Sequence, residues 1–123
     1  MMTYICVTKR SKMVLAKNEL FDQQEQHCSG LFKALGHPAR IKILKYLAAT
    51  KTCISGDISK ELPLGRTTVN QHLQELKRAG LIQGHISGRK TNYCLDPAGV
   101  EALKQATDRL LADIDIGENL NCE

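Results

Sequence analysis

The chain has 123 residues, of which 42% are hydrophobic and only 4% aromatic, and it contains no tryptophan. This length and composition support one compact domain with a modest aliphatic core, which favours packed helices and excludes two independent cores. The formal net charge of +4 is compatible with a polyanionic partner, whereas no apolar run approaches the roughly 20 residues that a membrane span requires.

The positive charge is concentrated in the middle of the chain. Residues 51–95 carry seven Lys or Arg against three Asp or Glu, a local net charge of +4, whereas residues 96–123 carry two against seven, a local net charge of −5. We therefore expect a polyanion to meet the middle segment, and the acidic C-terminal segment to lie away from it.

The N-terminal half is predicted to contain two helices. Residues 1–17 show no clear period and indicate an arm or a frayed helix. From Asn18 to Leu35 the apolar positions fit a first helix, which Gly36-His37-Pro38 ends. A second helix begins near Pro38, and its predicted apolar face consists of Ile41, Leu44, Leu47 and Ala48.

A short third helix is predicted from Gly56 to Leu62, with Asp57 in its first turn, and a tight turn through Leu64-Gly65 follows it. The fourth helix then runs to about Ala79, where Gly80 ends it. Its apolar positions, at helical spacing, are Val69, Leu73 and Leu76. The remaining side chains of this helix are polar, so one side is expected to pack and the other to read a partner.

Two short runs around Ser87-Gly88-Arg89 predict a β-hairpin with two positive charges at its tip. Asp96-Pro97 then opens a last helix, whose one-sided apolar positions are Val100, Leu103, Leu110, Leu111 and Ile114. The predicted fold is mainly α with a small β-hairpin, a winged helix-turn-helix in the order α-α-α-α-β-β-α. It occupies residues 18–116, between an N-terminal arm at 1–17 and a C-terminal tail at 117–123.

The polar side of the fourth helix carries residue types that exchange hydrogen bonds with base edges in the DNA major groove. The predicted base contacts are Arg66, Thr67, Thr68, Asn70 and Gln71, of which Thr68, Asn70 and Gln71 rank first. Cations at the end of this helix and on the wing suit phosphates or the minor groove. The predicted backbone or wing contacts are Lys77, Arg78, Arg89 and Lys90.

Each of these assignments has a simpler alternative. Thr67 and Thr68 are also suited to capping the helix, and Asn70 and Gln71 to a solvated helix face. Charged residues at a hairpin tip can serve solubility alone. For His72, which follows the reading positions and precedes a core leucine, packing or a structural hydrogen bond is the favoured role.

Three segments in this order, LFKALGHPARIKILKYL, DISKELPLGRTTVNQHLQELKRAGLI and HISGRKTNYCL, resemble the ArsR/SmtB family of small bacterial winged-helix repressors. The resemblance extends over roughly Leu31 to Ile114. It implies a homodimer paired through the first and last helices. It also implies binding to a palindromic double-stranded DNA operator and release of that operator when an effector binds.

The five cysteines, at positions 6, 28, 53, 94 and 122, form an odd set, and the N-terminus lacks the pattern of a cleaved signal peptide. We therefore expect a cytoplasmic protein with free thiols and no membrane association. Isolated cysteines commonly behave as small buried hydrophobic residues, and this is the expected role of Cys28 and Cys94.

Some members of the family sense arsenite or soft metals through a Cys-x-Cys pair before the third helix, and here the corresponding residues are Cys53 and Ser55. Such an ion needs three or four ligands, so one cysteine cannot hold it. Cys6 is the first candidate for a second ligand and Cys28 the next. No resident cofactor is required, and Ser55 is interpreted either as an N-cap or as an altered ligand position.

A second sensing arrangement in the family uses Asp and His followed by His and Glu on the last helix. The corresponding positions here are Asp96, Ala98, Arg109 and Ala112, of which only the aspartate is retained. We therefore expect no zinc site on this helix.

The leading hypothesis is a sequence-specific DNA-binding regulator, an effector-released repressor. The alternatives are a winged-helix module that docks on protein, or a repressor that responds to thiol oxidation or to a non-metal effector. An enzyme is not expected, because the sequence shows no Gly-rich phosphate loop, paired carboxylates or ordered nucleophile and base.

Overall fold

The computed structural model describes residues 20–51, 53–55, 58–87 and 90–117. Its elements in chain order are α1 (Gln23–Leu35), α2 (Pro38–Thr50), β1 (Ile54–Ser55), a 3-10 helical turn (Ile58–Glu61), α3 (Arg66–Arg78), β2 (Ile82–Ser87), β3 (Lys90–Leu95) and α4 (Pro97–Asp113). The predicted fold, mainly α with a β-hairpin, is confirmed. The arm at 1–17 and the tail beyond Gly117 lie outside the described residues.

Helix α1 begins later than its apolar spacing predicts. Asp22 is the N-cap: its carboxylate accepts from the Glu25 backbone N at 2.6 Å, and the Glu25 carboxylate accepts from the Asp22 N at 3.1 Å. This capping box satisfies backbone donors that would otherwise lack partners. Because the cap fixes the start, Leu20 and Phe21 do not belong to α1, and the Phe21 side chain is exposed.

Helix α2 begins as predicted but buries a different face. Its N-cap is His37, whose Nδ1 accepts from the Ala39 backbone N at 3.0 Å, with Pro38 in the first turn. The buried residues are Ala39, Ile43 and Leu47, whereas Ile41 and Ala48 of the predicted face are exposed. Apolar residues lie on several sides of this helix, so their spacing alone does not select the packed side.

The third predicted helix is only the helical turn Ile58–Glu61, and a short strand precedes it. Ser55 lies in β1 opposite Asn92, so its interpretation as an N-cap is wrong. Gly56 and Asp57 lie outside the described residues. A strand of two residues is too short to give a periodic signal in the sequence, which is why β1 was not predicted.

The three strands form an antiparallel sheet in the order β1-β3-β2. The predicted hairpin is confirmed, with Ser87 paired to Lys90 at its outer end and Ile82 to Leu95 at its base. Tyr93 on the central strand is fully buried. Opposite it, Gly84 has φ +125°, and a Cβ there would overlap the Asn92 carbonyl, so this close approach requires glycine.

The core lies between α1, α2, α3, the helical turn and the sheet. Its buried hydrophobic side chains are Leu31, Ala34, Ile43, Leu47, Ile58, Leu62, Val69, Leu73, Leu76, Leu81, Ile82 and Tyr93. By contrast, α4 has no fully buried residue, and it reaches the core through the half-buried Leu103 and Ala106. Among the described residues, no helix combines the length and apolar character that crossing a membrane would need.

Candidate nucleic-acid interface

Helix α3 is fixed to the core by one face. Val69, Leu73 and Leu76 are each at most 1% exposed, which confirms their predicted packing. Gly65 is the N-cap, Ala79 follows the last turn, and Gly80 has φ +84°. Because this stripe is buried, the opposite face of the helix is presented outwards along its whole length.

Of the predicted base contacts, Thr67 and Gln71 lie opposite the buried stripe, and Arg66, Thr68 and Asn70 flank it. Arg66, Thr67, Thr68 and Gln71 are exposed and Asn70 is half-buried. Because Gly65 is the N-cap, Thr67 and Thr68 stand at the second and third helical positions, so the interpretation of either threonine as the capping residue is wrong. Both hydroxyls lie on the exposed first turn of α3.

One further residue belongs to this face. Positions 67, 71, 74 and 78 recur at intervals of three or four, so they form a stripe opposite the buried leucines. Gln74 in this stripe is exposed, and it was not among the predicted contacts. The signal that identifies it is its spacing from Leu73 and Leu76, since the residue type alone does not distinguish it.

The two cations at the end of α3 differ in their surroundings. The Arg78 guanidinium pairs with the Glu75 carboxylate at 2.5 Å, and this hydrogen bond and charge hold the pKa of Glu75 below its usual value. The pair offsets part of the Arg78 charge. Lys77 is exposed on the neighbouring side of the helix, so it is the better placed of the two for a phosphate.

On the buried side of α3, Arg40 of α2 connects α3 to α1 by hydrogen bonds. Its Nε donates to Nδ1 of His72 at 3.1 Å, and its Nη1 donates to the carbonyls of Lys33 and Ala34 at 3.3 and 3.2 Å. His72 is 8% exposed, and its ring centre lies 4.3 Å from that of His37. The structural hydrogen bond predicted for His72 is confirmed.

The protonation of His72 matters for this link. Burial, followed by the charges of His37 and Arg40, lowers the pKa of His72 from its ordinary value. A neutral imidazole keeps an acceptor nitrogen for Arg40, which an imidazolium would lose. The lowered pKa of His72 favours this neutral form, in which His72 and Arg40 connect α3 to α1 and α2.

The wing is the β2–β3 hairpin, which lies beside α3. Lys90 is the first residue of β3, but its side chain and all of Arg89 lie outside what the structure describes. The predicted wing contacts of Arg89 and Lys90 therefore stay predictions.

The cysteines are arranged differently from the expectation of free thiols. Cys53 and Cys94 form a disulfide, with 4.2 Å between their Cα atoms, so the isolated hydrophobic role predicted for Cys94 is wrong. The sequence did not show this pairing because β1, which brings the two residues together, was not predicted. Cys28 is a half-buried free thiol.

Of the two predicted effector ligands, only one lies within the residues that the structure describes. Cys6 lies outside the described residues, and Cys53 is paired with Cys94. Within the described ranges, no three His, Cys, Asp or Glu side chains come together as a metal site would need.

Comparison with known proteins agrees with this geometry. A family model described as a helix-turn-helix domain matches residues 35–85. The HTH-type transcriptional regulator Rv2034 of Mycobacterium tuberculosis is 36% identical over 78 residues, which cover 63% of this chain and 72% of that protein. The transcriptional repressor SdpR of Bacillus subtilis is 30% identical over 91 residues, covering 74% of this chain and 97% of the repressor.

Solved structures share the fold. An ArsR-like transcriptional regulator from Rhodococcus sp. RHA1 superposes with a TM-score of 0.59 at 23% identity, covering 76% of this chain and 88% of that one. Rv0081 of Mycobacterium tuberculosis gives a TM-score of 0.53 at 28% identity, with 76% and 97% covered.

The buried stripe and polar outer face of α3, with the hairpin beside it, define a winged helix-turn-helix protein of the DNA-binding regulator class. Within that class, the chain belongs to the ArsR/SmtB family of transcriptional regulators. These relatives are regulators of transcription, in agreement with the expectation that the chain is not an enzyme.

Proposed function

We propose that the chain is a cytoplasmic transcriptional repressor that binds a palindromic DNA operator as a homodimer and releases it in response to an effector. The observation that carries this proposal is the construction of α3. Its apolar stripe is buried, and its outer face is built from side chains that hydrogen-bond to base edges. The basic balance of residues 51–95 adds attraction to phosphate.

The homodimer is supported by the other side of the molecule. Leu111 and Ile114 at the end of α4 are 56% and 58% exposed, and Phe21 before α1 is 51% exposed. Exposed apolar side chains on neighbouring helices are typical of a surface that a partner covers. A structurally similar domain, Mb0332 of Mycobacterium bovis, is described as homodimeric. Two-fold symmetry in the protein implies a palindromic site on DNA.

In this proposal the side chains divide the recognition of DNA between them. Gln71, Asn70 and Thr68 read base edges, assisted by Arg66 and Thr67 at the start of the helix. Lys77 and Arg78, together with Arg89 and Lys90 on the wing, contact phosphates and fix the register without reading sequence.

Arsenite or a soft metal is a candidate effector, with Cys53 and Cys6 as two of the three or four ligands that it needs. This binding requires Cys53 as a thiolate, so it involves the protein with the Cys53–Cys94 bridge reduced. Titration of arsenite, cadmium and zinc against the reduced protein–DNA complex tests it. Release that is lost in Cys53→Ala supports thiol sensing, and a complex that survives all three ions contradicts it.

The DNA-binding function is tested by a gel shift on the DNA upstream of the protein's own gene. We expect a discrete complex that random duplex of equal length fails to compete away at moderate salt, and a dimer in sedimentation. Equal affinity for random duplex, together with a monomer at micromolar concentration, would contradict the proposal.

A further inference from the structure

Residues 53–94 contain α3 and most of the β2–β3 hairpin, and we call this segment the reading unit. Cys53 and Cys94 lie at its two ends. Cys53 precedes the helical turn and α3, and Cys94 lies near the end of the wing strand β3, 41 positions later. The register places Ile54 opposite Tyr93, so the next residues outwards, the two cysteines, face each other across the strands. Their Cα atoms are 4.2 Å apart, slightly closer than is usual for a disulfide and nearer than the roughly 7 Å beyond which a bridge requires backbone movement.

The two cysteines are more accessible than the core residue beside them. Cys53 is exposed and Cys94 is half-buried, in contrast to Tyr93 beside them, which is fully buried. Small oxidants and reductants react with accessible cysteines that have a second cysteine nearby. Within the described part of the chain, the strand pairing of β1 with β3 consists of Ile54 opposite Tyr93 and Ser55 opposite Asn92.

We propose that Cys53 and Cys94 form a reversible dithiol–disulfide pair, oxidised by hydroperoxides, that makes DNA binding by α3 and the wing depend on thiol oxidation. The inference rests on the proposed function, because it concerns regulation of the same surface. A protein that acts on genomic DNA works among thiol reductants, where disulfides are transient and serve redox sensing.

The chemistry is complete with a hydroperoxide as the oxidant. The more exposed Cys53 thiol gives up its proton, its thiolate attacks a peroxide oxygen, and the O–O bond breaks. Cys53 becomes a sulfenic acid, and the hydroxide or alkoxide that leaves takes up the released proton as water or an alcohol. The Cys94 sulfur then attacks the Cys53 sulfur, the S–S bond forms, and hydroxide leaves as water with the Cys94 proton. The two thiols supply the two electrons, and a dithiol reductant reverses the reaction by exchange.

The bridge encloses the segment that contains α3, so its formation is expected to affect DNA binding. In the bridged form, β1 is fixed to the wing strand while α3 lies in the chain between them. In the reduced form, β1 is held by the Ile54–Tyr93 and Ser55–Asn92 pairs and by the packing of Ile54 against the core. Because α3 and the wing must contact one duplex together, a change in their relative freedom changes affinity.

The bridge is tested by peptide mapping of the full chain after treatment with hydrogen peroxide or dithiothreitol. Cleavage after Lys51, Lys60, Lys90 and Lys104 releases peptides 52–60 and 91–104. We expect these peptides to be linked after peroxide and separately alkylated after reduction. Cys94→Ser should accumulate a sulfenic acid at Cys53 that dimedone traps. Peroxide treatment that leaves both thiols alkylatable, or links Cys53 elsewhere, overturns the proposal.

Coupling to DNA is tested by operator affinity of the oxidised and reduced protein. We expect the Kd to differ by about fivefold or more, Cys53→Ser and Cys94→Ser to be insensitive to peroxide, and Cys28→Ser, the matched control, to respond as the parent does. A difference below about twofold in the parent, or a full response in Cys53→Ser, overturns the coupling. If neither form prefers operator over random DNA, the proposed function fails, and the peptide map still decides the bridge.

Discussion

The two sides of the molecule use their apolar residues differently. On the reading side, α3 buries Leu73 and Leu76 in the chain's own core and leaves a polar outer face. On the other side, α4 buries no residue fully, and Leu111 and Ile114 remain mostly exposed. The net charge also differs, being +4 for residues 51–95 and −5 for residues 96–123.

Under the proposed function, the DNA-reading surface is complete within one chain, whereas the exposed apolar end of α4 is the surface that a second copy would cover. A polar, basic face is well solvated by water when no DNA is bound. An apolar helix end is stabilised only when something covers it. The following predictions test this difference, beginning with the largest expected effect.

The same substitution should act differently on the two sides. Leu76→Ala creates a cavity in the core, and we expect it to lower the unfolding free energy by about 2–5 kcal/mol in a urea titration. Leu111→Ala should change the unfolding free energy of the monomer by less than about 0.5 kcal/mol, but raise the dimer dissociation constant about tenfold in sedimentation. Equal losses of stability, with an unchanged dimer, would remove the contrast.

The contact between α4 and the turn that follows α3 depends on a small residue. A Cβ on Gly99 would overlap the backbone carbonyl of Gly80 and approach the Leu81 Cα to 3.2 Å. We expect Gly99→Ala to lower the unfolding free energy by about 1–3 kcal/mol. Gly30→Ala in α1 is the matched control, since nothing lies within 4 Å of a Cβ there, and it should be neutral or stabilise by up to about 1 kcal/mol.

The contribution of the Arg40 hydrogen bonds to the stability of the fold should also be measurable. Arg40→Met removes the donor to His72 Nδ1 and to two α1 carbonyls, and we expect a loss of about 1–3 kcal/mol in the unfolding free energy. Lys42→Met, an exposed position on the same helix, is the control and should change stability little. Similar stabilities for the two variants would show that Arg40 does not hold α3 in place.

The pH dependence of stability should carry the signature of His72. Its pKa is lowered in the folded protein relative to the ordinary value of 6.5, so the unfolded chain binds more protons as the pH falls. Stability is then fully present above about pH 6.5 and declines below it. Denaturant titrations from pH 8 to 5 should show this decline in the parent and in His27→Gln, but a flatter profile in His72→Gln. An unchanged profile in His72→Gln would exclude this histidine as the cause.

Much of the reading unit could be predicted from sequence because its signals are local and agree with one another. The spacing of Val69, Leu73 and Leu76 gives both the helix and its buried side, and Gly80 ends the helix where expected. The hairpin follows from its turn residues, and the pairing of β2 with β3 confirms it.

What could not be predicted depends on contacts between distant segments. Ile43 of α2 is fully buried although Ile41 beside it is exposed, and only the position of neighbouring elements decides between them. The Cys53–Cys94 pair is 41 positions apart and depends on a strand of two residues. Arg40 reaches His72 across 32 positions, so its role as a link between helices has no local signal.

The central claim, that α3 reads DNA sequence while the cations hold phosphate, is tested most directly by measuring Gln71→Ala and Lys77→Ala on operator and on random duplex. We expect Gln71→Ala to weaken operator binding by roughly 5- to 100-fold with little change on random DNA. Lys77→Ala should weaken both by a similar factor and reduce the salt dependence by about one unit of slope. Equal losses on both duplexes for Gln71→Ala would contradict base reading by this helix.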